Sequence, residues 1–194
     1  GGGGVNIPSP SGSPPPFTCQ SYAAGGSGGG AGAYFRQIYV ASTGGNGNTP
    51  PVSPPQGNAG GGAASNGPPS SDGNLAGRHG GGGGGAGATG GNATTGSPGS
   101  GGAGTASSIS GSSVTYAAGG DGDSQGSPGP SPNESANTGN GSNGEVAPTL
   151  AGNAGSGIVI IRRVTACSST DSGTVTTCGS DTIHTFTGPG TFKG

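Results

Sequence analysis

Residues Gly80–Gly85 form an unbroken run of six glycines, in a chain where 52 of 194 residues are glycine. That run sets the terms for anything the chain can fold into. Glycine loses the most backbone entropy on ordering, so a polyglycine stretch stays slack unless neighbours pack closely on it. A glycine chain can adopt a threefold extended helix of the polyproline II type, which has no internal hydrogen bonds. Its N–H and C=O groups then point outward and need partners on adjacent segments. Several such helices side by side make a hydrogen-bonded lattice with no side chains inside it.

The rest of the composition leaves few competitors to that solution. Apolar residues make up 25% of the chain and charged residues 6%, where an ordinary domain is nearly half apolar and a quarter charged. This excludes a conventional core of Leu, Ile and Phe. It equally excludes a chain kept unfolded by its own charge. Collagen is excluded because glycine does not hold every third position over any long run. Five basic against seven acidic residues give a net charge of −2. Beyond the pair Arg162-Arg163 there is no basic cluster, so no nucleic-acid partner is expected. No apolar run is long enough to span a bilayer, so no membrane insertion is expected. The chain does not begin with Met, and Gly1 reads as a processed or trimmed end.

The chain divides into three zones. Residues 1–16 are an extended Gly/Pro/Ser arm, with Pro14-Pro15-Pro16 favouring polyproline II. Residues 17–156 are a glycine-rich region of short strands and polar loops. Strands are expected at Phe17–Tyr22, at Tyr34–Val40, where three of the chain's aromatic residues lie, and around Ser113–Ala117. Thr115-Tyr116-Ala117-Ala118-Gly119-Gly120 nearly repeats Ser21-Tyr22-Ala23-Ala24-Gly25-Gly26, each a short strand feeding a glycine segment. Residues 157–194 are a C-terminal β-meander. Its strongest strand is Gly157–Thr165, whose consecutive Ile158-Val159-Ile160-Ile161 predicts burial on both faces. Strands at Thr174–Thr177 and Thr182–Thr187 follow, joined by a turn at Gly179-Ser180-Asp181. The expected fold class is therefore mostly β and irregular, with polyglycine II-like segments and essentially no α-helix.

Catalytic chemistry finds no footing. Gly-x-Gly-x-x-Gly matches are expected by chance at this glycine content, and none follows a strand and opens a helix. Gly25-Gly26-Ser27-Gly28-Gly29 matches a nucleophile elbow by letters only. His184 alternates with strand neighbours and reads as a sheet residue, while His79, beside Arg78, reads as a solvated loop tip. No catalytic, cofactor-binding or metal-binding residue is assigned, and no cofactor is expected. Asp121-Gly122-Asp123 opens like a calcium loop, but its twelfth position is Pro132 rather than Glu. Of Cys19, Cys167 and Cys178, the last two flank a turn-rich stretch. A disulfide between Cys167 and Cys178 would stabilise by roughly 3 kcal/mol in the chain-entropy model; three reduced thiols are the other state the sequence allows.

Gly155-Ser156-Gly157-Ile158-Val159-Ile160-Ile161-Arg162, closing a long glycine-rich region, resembles the glycine-rich domain of tailed-bacteriophage tail-fibre and tail-tip adhesins. Ser107–Gly120 resembles the strand leading into that family's glycine tract. Thr182–Phe192 resembles its hydrophobic strand, tight turn and Thr-Phe element, and Gly25–Arg36 its early glycine-then-aromatic segment. The chain departs from the pattern at 121–148, where Asp, Ser, Pro, Asn and Glu interrupt the glycines, and at Arg163, where an aromatic is common. The resemblance implies a non-enzymatic virion protein acting in host attachment, with polar loops projecting from one end of a polyglycine lattice. It implies as partners further copies of the chain, as a trimer, neighbouring virion proteins, and host-surface carbohydrate or an outer-membrane receptor. The Pro/Asn/Gly loops 43–58, 65–78 and 121–148 read as projecting tips, and the candidate receptor-binding residues on them are Asn46, Asn48, Asn66, Asp72, Asp121, Asp123 and Asn133. Tyr22, Tyr34, Tyr39 and Tyr116 read as packing over glycine backbone. Two alternatives stand beside this reading. One is a structural sleeve, collar or decoration protein without receptor contact. The other is an extracellular polyglycine-helix matrix or ice-binding protein, which would need regular Thr or Ala ranks that the chain does not sustain.

Overall fold

The computed structural model describes residues 24–32, 43–64, 79–123, 132–145, 152–164 and 172–192. Among them there is no α-helix. The glycine run is the axis of the molecule. Residues Gly81–Gly85 are all buried, and their backbone groups leave in directions that repeat every third residue, as a threefold helix requires. The N–H groups of Gly80, Gly83 and Ala86 donate to the carbonyls of Asp123, Gly120 and Ala117, each at 2.8 Å. Those of Gly81 and Gly84 donate to Ala31 and Gly28 at 2.9 Å. Those of Gly82 and Gly85 donate to Gly91 and Ala88 at 3.0 and 2.9 Å. In the other sense, the carbonyls of Gly80 and Gly83 accept from Gly99 and Gly102, and those of Gly82 and Gly85 from Gly61 and Asn58. Segments 24–32, 57–64, 88–94, 97–104 and 117–123 thus surround 79–86, with segment 43–49 packed outside the first two through Gly45.

These contacts explain why glycine is needed. A Cβ on Gly30, Gly60, Gly61, Gly81, Gly82 or Gly84 would fall on a neighbouring backbone carbonyl, well inside van der Waals contact. Only chains without side chains approach closely enough to exchange these bonds. The bonds close within one chain, so backbone pairing supplies cohesion that the scarce apolar side chains cannot.

The lattice grades into a hairpin without losing register. β1 (Thr105–Ser107) pairs antiparallel with β2 (Val114–Tyr116), Thr105 opposite Tyr116. Three residues further along, Gly119 N–H donates to Gly102 at 2.8 Å, and three further, Gly122 donates to Gly99 at 2.8 Å. One ladder therefore changes from pleated to threefold where side chains give way to glycine. β2 matches the expected strand; β1, Thr-Ala-Ser in sequence, carries no apolar signal that would have shown it.

The second sheet holds β3 (Val159–Val164), β4 (Thr174–Cys178) and β5 (Asp181–Phe186). The expected strands are present, but the order is β3-β5-β4, all pairs antiparallel, with the last strand inserted between the other two rather than laid down in succession. The physical reason is burial. β5 carries Ile183 and His184, which are 1% and 0% exposed, whereas Thr-rich β4 is exposed along nearly its whole length and is suited to an edge. The expectation that β3 is buried on both faces is corrected at Val159, which is 59% exposed, because the edge strand extends past what covers the sheet. Ile183 faces Gly111, whose positive φ of 98° turns the loop after β1 onto the sheet. Arg162 fastens the same face. Its Nε donates to Asp181 Oδ2 at 2.8 Å and its guanidinium reaches the Ser108 carbonyl at 3.3 Å. The hydrogen bond to Asp181 is the main reason the Arg162 guanidinium is held above its ordinary pKa. On the opposite face Phe192 meets His184 edge-on at 5.2 Å and lies 5.3 Å beneath the Arg163 guanidinium. His184 is thus the sheet residue expected. Cys178 carries a free thiol close to Gly111, and Cys167 lies outside the described residues.

Candidate functional site

Segment registers fix where each end of the lattice points. Segments 24–32, 57–64, 88–94, 117–123 and 139–145 run one way, and 43–49, 79–86, 97–104, 132–137 and 152–157 run the other. At one end the chain leaves and returns at residues 32 and 43, 64 and 79, 123 and 132, and 145 and 152, and makes a tight turn at 94–97. At the opposite end lie loop 50–56, the turn at 86–88, the β1–β2 hairpin, the turn at 135–138 and the departure of 152–157 into β3. The sequence between two of the paired positions of the first end includes Tyr34, Phe35, Arg36 and Tyr39 in 33–42, and Asp72 and Arg78 in 65–78.

The residues expected at projecting tips are not brought together. Asn46 and Asn48 stand toward the hairpin end, while Asp121, Asp123 and Asn133 stand toward the other. Asn66 and Asp72 lie outside the described residues, as do Tyr22, Tyr34 and Tyr39. Several of them serve the fold. Asp121 Oδ1 accepts from Gly101 N–H at 2.6 Å, and its own N–H and C=O bond to segment 139–145. Asn133 Oδ1 accepts from Asn153 N–H at 2.8 Å. Asn48, at φ 50°, accepts from the N–H groups of Val52 and Gln56 at 3.2 Å and donates to the Val52 carbonyl at 3.1 Å. This clamp ties down loop 50–56, whose exposed Pro50-Pro51-Val52-Ser53-Pro54-Pro55 projects from the hairpin end. Asn46 is exposed, and its carbonyl accepts from Gly25 N–H at 3.3 Å. His79 is corrected from a solvated tip to a buried residue, 7% exposed. Its N–H and C=O both pair with Ala64 at 2.9 Å, which draws the ring against the end of the lattice.

A second set of residues was not singled out by its chemistry. Where a segment lacks a backbone neighbour, an asparagine side chain supplies the acceptor. Asn140 Oδ1 accepts from Ala118 N–H at 3.0 Å, Asn143 Oδ1 from Asp121 N–H at 2.8 Å, and Asn92 Oδ1 from Gly62 N–H at 2.7 Å. The signal that could have revealed two of them is the spacing Asn140, Asn143. Steps of three hold one face of a threefold helix, and their acceptors' donors, residues 118 and 121, are also three apart.

Among the described residues no group of His, Cys, Asp and Glu could hold a metal ion, and no helix is long and apolar enough to cross a membrane. What the arrangement offers is a backbone-paired block with four pairs of segment ends at one end and a β-sheet at the other. Comparison with protein-family models, with curated proteins and with solved structures finds no match for this chain.

Proposed function

We propose that this chain is a non-enzymatic virion protein, a tail-fibre or tail-tip component of a tailed bacteriophage that contacts the host surface with the end of the lattice opposite the β-sheet. The observation that carries this reading is that four pairs of segment ends, at residues 32 and 43, 64 and 79, 123 and 132, and 145 and 152, lie at one end of the backbone-paired lattice. Loops held by a scaffold are where binding residues concentrate, and the sequence between those paired positions includes Tyr34, Phe35, Arg36, Tyr39 and Arg78. The resemblance of residues 155–162 and 182–192 to phage adhesins supports the same assignment. The sheet end, where the first described lattice segment also begins, faces the particle. The partners are then neighbouring virion proteins and further copies of the chain on one side, and host carbohydrate or an outer-membrane receptor on the other.

The test is to locate a tagged copy of the chain by electron microscopy on the particle that carries it, and to ask whether purified protein blocks adsorption. A few labels at the distal tip together with competition for adsorption are expected. Many labels along a tube or capsid, without competition, would instead establish the sleeve or decoration role.

A further inference from the structure

The chain contains four Asn-Gly pairs, at Asn46, Asn66, Asn140 and Asn143; Asn66-Gly67 lies outside the described residues. Asn-Gly is the dipeptide most open to intramolecular deamidation, because glycine puts no side chain in the way of its own nitrogen. In that reaction the glycine amide nitrogen, having lost its proton, attacks the asparagine Cγ. The new N–Cγ bond forms as the Cγ–NH2 bond breaks, and ammonia leaves. One water then opens the succinimide to aspartate or isoaspartate. The nitrogen must swing toward Cγ, so any bond that fixes either group elsewhere slows the step.

The lattice fixes both groups at two of the pairs. At Asn140, Gly141 N–H donates to the Ala118 carbonyl at 2.9 Å while Oδ1 accepts from Ala118 N–H at 3.0 Å and Nδ2 donates to Glu134 at 3.2 Å. At Asn143, Gly144 N–H donates to the Asp121 carbonyl at 2.8 Å while Oδ1 accepts from Asp121 N–H at 2.8 Å. Asn46 differs. Its side chain is exposed, and among the described residues no hydrogen bond uses its carboxamide or the Gly47 N–H.

We propose that Asn46-Gly47 is a site of spontaneous deamidation in the folded protein, while Asn140-Gly141 and Asn143-Gly144 are held inert by the asparagine ladder. The consequence is local and structural. Isoaspartate adds a backbone carbon between Gly45, whose N–H donates to Gly29 at 2.8 Å, and Asn48, whose N–H donates to Gly26 at 2.9 Å. One of those bonds is lost, and with it the alignment of the Asn48 clamp on loop 50–56. The modification therefore loosens one loop at the sheet end and leaves the glycine axis intact.

The experiment is peptide mass mapping of the full chain after incubation at mildly alkaline pH, folded and in guanidinium. In the folded protein the amide-to-acid mass gain should appear at Asn46 at least about tenfold faster than at Asn140 or Asn143, the factor expected if reaction needs local opening of the lattice. In guanidinium the three rates should converge. Asn46→Gln should remove the gain at that position in both conditions. Folded-state conversion of Asn140 or Asn143 as fast as Asn46 would overturn the proposal. So would an Asn46 that stays intact in the folded protein over the time in which the denatured chain converts.

Discussion

Gly82 and Ile183 are the centres of two regions built on opposite principles. Gly82 is buried because its neighbours are backbones: its N–H donates to Gly91 at 3.0 Å and its carbonyl accepts from Gly61 at 2.8 Å. Ile183 is buried because of what its side chain covers, on a strand whose backbone is paired on both sides by β3 and β4. In the lattice a side chain is an obstruction; in the sheet it is the cohesive element. The two meet at the loop after β1, where Gly111 faces Ile183 and Ser108 accepts from Arg162. The difference teaches that low apolar content does not by itself imply slackness. Cohesion can come from directional backbone bonds when the residue is small enough to let chains approach, and from non-directional apolar burial when it is not.

Substitutions can break that comparison. The largest effect is expected from Gly82→Ala. Its Cβ would land on the Ser100 carbonyl, and a backbone cannot yield as a side-chain tip can. Overpacking against a side chain costs about 1–3 kcal/mol; here the obstacle is the backbone of a paired segment, so whole segments must separate and the loss should exceed the roughly 2–5 kcal/mol of truncating a buried aliphatic side chain. Thermal unfolding should show a large drop in midpoint; an unchanged midpoint would mean the segments are not packed as described. Ile183→Ala should cost about 2–5 kcal/mol, the range for a fully buried aliphatic side chain. The loss should appear in the sheet first, read by amide hydrogen exchange of β5 against that of Gly81–Gly85. Equal loosening of both would show that the regions form one cooperative unit.

Asn143→Ala should cost about 0.5–1.5 kcal/mol, the net worth of an ordinary hydrogen bond, because it removes the side-chain acceptor of the exposed Asp121 N–H at the lattice edge. Hydrogen exchange at Asp121 should accelerate while Gly83 stays protected. The smallest effect belongs to Gly96→Ala. A Cβ there meets nothing within 4 Å, so stability should stay within about 0.5 kcal/mol, as for surface positions generally. Gly82→Ala and Gly96→Ala are the same chemical change in the same glycine-rich zone. A similar outcome for both would refute the claim that glycine in the lattice is required by packing rather than by turn geometry.

Parts of this structure were legible in the amino acids. The run Gly80–Gly85 has few ordered solutions, and the threefold lattice is the one it adopts. Val114–Tyr116, Val159–Val164 and the Thr174–Phe186 hairpin lie where β-branched and aromatic residues cluster. β1 was hidden because Thr105-Ala106-Ser107 is defined by its partner and not by its own side chains. Bonds made by the described tip candidates were hidden for a related reason. Asn and Asp are read as turn and surface residues, yet their side-chain oxygens are acceptors equivalent to a backbone carbonyl. Asp121 and Asn133 accept from N–H groups of neighbouring segments at the lattice edge, and Asn48 from those of loop 50–56, partners that no local pattern reveals.

The sequence by itself determined that this chain could not be held together by a side-chain core across most of its length, and that glycine backbones would have to pair instead. It determined where the chain turns back to ordinary strands, at Ile158. Only the tertiary structure decided which segment occupies the centre, at which end each segment begins and stops, and which polar side chains complete the edges. The physical reason is that a glycine helix presents nearly identical bonding groups along its length. Its own residues specify that it must have neighbours, while the choice of neighbour and register rests on the connections, the asparagine caps and the strands at either end.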